Sequence, residues 1–215
     1  MMEEFRTLIP QAQWPSDGNL PRELFYWYEP AIEAQENYIS YVINRRNSIN
    51  GRIYREDPSI FAWEISNEAR CEVAVCQEAE DKNNSLPQWA RRMSEAIRKS
   101  GARQLIAWGG AGYQGSHGEN MRLIAQTAPE MDVLTLHKYP SAQGAPPFTP
   151  SDALEQAEDF GANAAHKLRA LSQLAHDLGA RGGLFEELGY RGVGTAAQTD
   201  AQRARVFALA GDAAE

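Results

Sequence analysis

Four short stretches collect the side chains that could do chemistry: Ser66-Asn67-Glu68, Gly112-Tyr113, His137-Lys138-Tyr139 and Glu186-Glu187. Each follows a β-prone, mostly apolar run, so each sits where a strand gives out. Residues two apart on a strand face the same side, which lets His137 and Tyr139 reach one site together. Glu68 and Glu187 come from runs far apart in sequence and could converge on a single bond. Paired carboxylates suit cleavage of a glycosidic bond, one serving as acid and then base and the other as nucleophile. The two need different environments, because the acid must hold its proton while the nucleophile stays ionised. Alternation alone does not say whether Glu186 or Glu187 points inward. Glu64 reads as a buried structural carboxylate within its strand, and His117, His166 and His176 as surface or helix-face residues.

The elements that must position these residues alternate helix and strand. Ala31 to Asn50 has its isoleucines near one face, an amphipathic helix stopped by Gly51. Pro58 opens a strand over Ile60 to Ile65, since proline cannot donate to a sheet ladder. Ser85-Leu86-Pro87-Gln88 has the form of a capping box, and the helix behind it ends at Gly101. Gln104 to Trp108 is a second strand and Glu119 to Thr127 a short helix. Asp132 to Leu136 is a third strand, and a long helix from Ser151 to about Leu178 buries its leucines. Gly183 to Leu188 is the fourth strand, and Thr199-Asp200-Ala201-Gln202 caps a final helix. This order predicts parallel strands with helical crossovers. Four such strands amount to about half of an eight-stranded barrel. Residues 1–30, with four prolines, read as an irregular approach whose Phe25-Tyr26-Trp27-Tyr28 run anchors a loop,.

Composition bounds the partners. The chain has 215 residues and a formal net charge of −8, which speaks against nucleic acid or an anionic membrane as the main partner,. No apolar run is long enough to span a bilayer. The Gly109–Gly115 glycine run lacks the Lys-Ser/Thr of a P-loop and the spacing of a dinucleotide fingerprint. Cys71 and Cys76 have no nearby histidines, so neither a metal nor a cofactor is expected; a small disulfide loop and two inert thiols both remain open. The first residues lack the build of a signal peptide.

The segments Tyr54 to Cys71, Leu134 to Pro140 and Leu184 to Gly189 together resemble family 5 glycoside hydrolases, and among them the endo-β-1,4-mannanases. The similarity runs in the family's order from about Trp14 to the end. The resemblance implies a (β/α)8 TIM-barrel glycosidase fold, present here over about strands four to seven, in a single partial catalytic domain spanning 1–215. It implies Glu68 as acid/base and Glu187 as nucleophile. Asn67 would bind the sugar 2-hydroxyl, and Arg70 would contact sugar on the leaving-group side. His137 and Tyr139 would line the site, Tyr139 orienting Glu187, with Tyr113 a further substrate contact. The implied partner is a mannan or glucomannan polysaccharide, met outside the cell. A β-1,4-glucanase of the same family and an inactive, carbohydrate-binding remnant are the alternatives. Three positions depart from the family's habit: Ala69 where proline is common, Leu188 where an aromatic is usual, and Ala111 where a glutamate is common. The strands that supply an arginine beside the nucleophile are not expected in Met1 to Pro30, and the eighth strand, which brings a tryptophan platform in the family, is not expected within the chain.

Overall fold

The computed structural model describes residues 24–69, 85–110, 128–139, 153–190 and 195–211, with 124 and 126. Helix α1 (Leu24–Trp27) leads into α2 (Glu29–Asn44), and strand β1 (Ala62–Glu64) follows. Then come α3 (Ser85–Lys99), β2 (Leu105–Ala107), β3 (Val133–Lys138), α4 (Ala153–Asp177), β4 (Gly182–Leu188) and α5 (Ala196–Gly211). The strands form one sheet in the order β1-β2-β3-β4, and every pairing is parallel. Consecutive parallel strands joined through helices make the partial barrel expected from the alternation.

The helices pack on one face of the sheet. Leu134 and Leu136 of β3 turn towards them and join Ile43 of α2, Trp89 and Met93 of α3 and Leu171 of α4 in one core. Fully burying such a side chain contributes roughly 1.5–3 kcal/mol. Gly183 lets α4 come close: a Cβ there would stand 2.9 Å from Leu171 Cγ. The opposite face of the sheet carries Glu64, Thr135 and His137, the polar set.

Three local expectations need correcting. Helix α2 stops at Asn44 instead of Asn50, because Arg45 is already extended (ψ 136) and Arg46 forms an antiparallel bridge to Ile53. The Asn47 side chain then accepts from the Ile49 N–H and makes a turn, which leaves Ile49 94% exposed. Phe25 to Trp27 belong to a helical turn instead of a loop, with Tyr26 edge-on to Trp89 at 4.9 Å. The last helix is capped four residues before the expected cap. Its capping box is Thr195-Ala-Ala-Gln198, in which the Gln198 side chain accepts from the Thr195 N–H at 2.9 Å. Thr199 lies inside the helix and its hydroxyl donates to Thr195 O. The two Thr-x-x-Gln runs follow one another directly, and the first one wins because it encloses a longer helix,.

The N-terminal end of the sheet is held by Asp132. Its Oδ2 lies 2.5 Å from Arg98 Nη2 and accepts from the Ile106 N–H at 3.0 Å. Its Oδ1 meets Arg181 Nε at 2.8 Å. One nearly buried carboxylate thus ties α3, β2 and the approach to β4 together.

Candidate active site

Strand β1 places its acids by simple alternation. Trp63 and Ile65 pack towards the helices, so Glu64 turns to the polar face. Beyond the strand the chain bends at Asn67-Glu68, and Glu68 adopts φ 50, in the left-handed region that non-glycine residues seldom occupy,. Its N–H donates to Gly109 O at 2.6 Å, which holds it there. Gly109 makes that approach feasible: a Cβ would stand 1.5 Å from Ser66 O and 2.5 Å from Glu64 Oε1. Thr135, fully buried, accepts from the Gly110 N–H at 2.6 Å and fixes the next step of the same loop.

Strand β3 runs two residues further than expected, so His137 lies within it, and it is buried. Between Leu136 and His137 the register with β4 slips: Leu136 pairs with Phe185, and His137 pairs with Glu187. Glu186 is therefore the extra residue of a β-bulge. Phe185 packs towards the helices, so Glu186 faces the polar side by alternation, and the bulge brings Glu187 there as well. The choice between the two acids that alternation left open has a physical answer: both reach the site.

His137 is the hub. Its Nδ1 lies 2.9 Å from Glu68 Oε1 and 3.4 Å from Glu187 Oε2. Its Nε2 lies 3.3 Å from Glu186 Oε2. One ligand atom from each of Glu68, His137 and Glu187 falls within 4.8 Å of the others. His137 Nδ1 is what joins them, through its contacts with Glu68 Oε1 and Glu187 Oε2. Tyr139 donates its hydroxyl to Glu187 Oε2 at 2.6 Å. Gly189 permits this, since a Cβ there would come within 2.4 Å of the Tyr139 ring.

The electrostatics follow from the crowding. Burial alone would push the His137 imidazolium down, but hydrogen bonds to Glu68 and Glu186 and the Glu187 charge outweigh it, and its pKa stands above the ordinary 6.5,. Glu64 is raised to about 7, first by desolvation and then by its hydrogen bond to Glu186 and that residue's charge. Glu64 is exposed as a residue, while its carboxyl tip is turned in against Gly109 and Glu186. It is not the buried structural carboxylate that the strand pattern suggested. The Tyr139 hydroxyl is also raised, chiefly because donating to Glu187 holds its proton.

Of the expected residues, the structure brings Glu68, His137, Tyr139 and Glu187 together and leaves Asn67 exposed in the adjoining bend. Arg70, Tyr113, Cys71, Cys76, Ala111 and His117 lie outside the described residues. His166 and His176 are exposed on α4 as expected. Missed from sequence were Glu64 as a member of the cluster, the entry of Glu186 alongside Glu187 instead of in its place, and Gly109 and Gly189 as the gaps that let it close. The even spacing of Glu64 and Glu68 was a usable signal; the bulge at Glu186 had none.

A parallel α/β sheet whose C-terminal edge presents two facing carboxylates is part of a glycosidase-type (β/α)8 barrel. The family profile described as GH family 5 beta-mannosidase-like matches residues 13–204, and the chain belongs to glycoside hydrolase family 5. Mannan endo-1,4-beta-mannosidase 1 of Arabidopsis thaliana is 27% identical over 135 residues, 55% of this chain and 31% of that protein. Mannan endo-1,4-beta-mannosidase 2 of the same plant is 33% identical over 91 residues, 42% of this chain and 20% of that protein. Among solved structures, the endo-1,4-beta-D-mannanase of Thermotoga petrophila RKU-1 superposes with a TM-score of 0.62 at 24% identity, covering 92% of this chain and 54% of that one. The endo-1,4-beta-mannanase of Rhizomucor miehei gives 0.56 at 23%, covering 92% and 66%. At these identities the superpositions establish the fold. The matched part spans about a third or less of the length of these curated relatives.

Proposed function

We propose that this chain carries the catalytic edge of a retaining endo-β-1,4-mannosidase acting on mannan-type polysaccharide. The observation that supports the reading most strongly is the approach of Glu68 and Glu187 to one imidazole nitrogen, with carboxylate oxygens within 4.8 Å. Retaining glycosidases hold their carboxyl groups about 5–5.5 Å apart, whereas inverting ones leave about 6.5–9.5 Å for a water. In the proposed reaction Glu187 attacks the anomeric carbon while Glu68 gives its proton to the departing glycosidic oxygen. The C–O bond breaks and a glycosyl ester forms on Glu187. Glu68 then takes a proton from water, whose oxygen attacks the same carbon and releases Glu187. Tyr139 and His137 both contact Oε2 of Glu187, which leaves Oε1 as the attacking oxygen in this scheme. By family resemblance Asn67 binds the 2-hydroxyl, and Arg70 and Tyr113 contact neighbouring sugars. A polymeric substrate this large places the reaction outside the cell.

A second reading rests on strand count. The described residues provide four strands where a closed barrel has eight, so sugar binding without turnover is the competitor. Reducing-sugar release from mannan and from cellulose, by the chain and by its Glu187→Gln variant, separates the readings. Release from mannan that the variant loses supports the mannosidase. Preferential release from cellulose moves the assignment to a glucanase. Background release from both, with mannan still bound, makes the chain a binding remnant.

A further inference from the structure

The cluster holds more acid than a two-carboxylate reaction uses. Around His137 stand Glu64 and Glu68 from β1 and its following bend, Glu186 and Glu187 from β4, and the Tyr139 hydroxyl just beyond β3. From the β2 side the approach is made by the backbone of Gly109. Glu64 and Glu186 have no place in the double displacement. We infer that they are positioning residues: Glu64, carrying a proton, donates to the Glu186 carboxylate, which accepts from His137 Nε2 and so sets the orientation and charge of the imidazole that faces Glu68 and Glu187.

The geometry carries the inference. Glu186 Oε2 is 3.3 Å from Nε2, while Nδ1 on the opposite side of the ring faces Glu68 and Glu187. An imidazole with carboxylates at both nitrogens donates from both, which fixes its ring plane. Two facing carboxylates cannot both stay ionised cheaply, so Glu64 holds a proton beside the Glu186 carboxylate,. The bulge is what makes this feasible, because it presents Glu186 to Nε2 and Glu187 to Nδ1 from consecutive positions. The upward displacement of Glu64 to about 7 is the expected signature of such a pair. The inference rests on Glu68 and Glu187 being the reacting groups, but its test does not need turnover.

The test is an NMR titration of the full chain, following glutamate carboxyl carbons and the His137 ring nitrogens in wild type, Glu64→Gln and Glu186→Gln. A glutamate midpoint near 7 is expected in wild type, lost in Glu64→Gln. The His137 midpoint is expected to fall in Glu186→Gln and to stay put in the control Glu95→Gln, whose partners are Arg91 and Lys99. Persistence of the midpoint near 7 in Glu64→Gln overturns the inference, as does an unmoved His137 in Glu186→Gln. If a variant does not fold, the assigned wild-type titration decides alone: a Glu64 midpoint below about 6 overturns the inference. A chain that releases no sugar yet titrates this way sinks the turnover reading and leaves the pair standing. An active chain with ordinary midpoints does the reverse.

Discussion

The two ends of this sheet solve opposite electrostatic problems. At the N-terminal end one carboxylate, Asp132, is met by Arg98, Arg181 and the Ile106 N–H. At the C-terminal end, the glutamates at 64, 68, 186 and 187 crowd around one histidine. The first arrangement satisfies every charge and makes the fold more stable. The second leaves like charges close together and holds a glutamate in the left-handed region, costs that a purely structural site would shed. Charge that is paired at one end and crowded at the other separates the end that holds the sheet from the end that, under the proposed function, moves protons.

Substitutions should therefore act differently at the two ends. The largest effect is expected from Glu68→Gln, with mannan hydrolysis reduced by about 10²–10⁴-fold, the usual worth of a positioned acid/base, and thermal stability unchanged or raised. Kinetic assay beside thermal melting checks this, and a drop in both would put Glu68 on the structural side. Asp132→Ala should do the converse. Its loss leaves the buried Ile106 N–H without its acceptor, while Arg98 keeps Glu130 and two carbonyls, and costs about 1–3 kcal/mol, read by urea denaturation, with the His137 titration unmoved while the chain stays folded. Gly189→Ala should cost about 1–3 kcal/mol, because the new methyl collides with the Tyr139 ring,. It should also break the Tyr139–Glu187 hydrogen bond, visible as a fall in the Tyr139 midpoint by ultraviolet titration.

The smallest effect concerns pH. Glu64 binds its proton more tightly folded than unfolded, so the stability it contributes is fully present below about 4.5 and lost as pH rises to about 7,. His137 acts in the same sense above 6.5, its contribution fading as pH passes its raised folded value. Asp57, lowered by the Ser59 N–H and hydroxyl, and Glu95, lowered by Lys99 and Arg91, act oppositely and only near their own acidic range. The thermal midpoint should fall as pH rises through neutrality, and Glu64→Gln should flatten the part of that fall below pH 7. A midpoint that rises across this window would remove the crowding account.

Much of this was legible in the residues because the signals were local. Helix–strand alternation and the glycines and prolines that punctuate it gave the parallel order, and Glu68, His137 and Tyr139 were each placed by being at a strand end. Glu186 was not legible. A bulge is a slip between two strands, and no spacing within Phe185-Glu186-Glu187 records it. The same holds for Gly109 and Gly189, whose meaning lies in what approaches them from another strand. Helix α2 ended early at the extended Arg45 and gave way to a bridge and an Asx turn at Asn47 that hydrophobic periodicity does not report,, and Thr195 took the cap that Thr199 was expected to hold.

The central claim is that Glu187, and not its neighbour Glu186, forms the bond to sugar at the crowded end. Incubation with a 2-fluoro-mannosyl fluoride, whose fluorine slows release of the ester more than its formation, followed by peptide mass mapping, tests it most directly. A single glycosyl adduct on Glu187 is the predicted result. An adduct on Glu186, or none while mannan is being hydrolysed, would contradict the account.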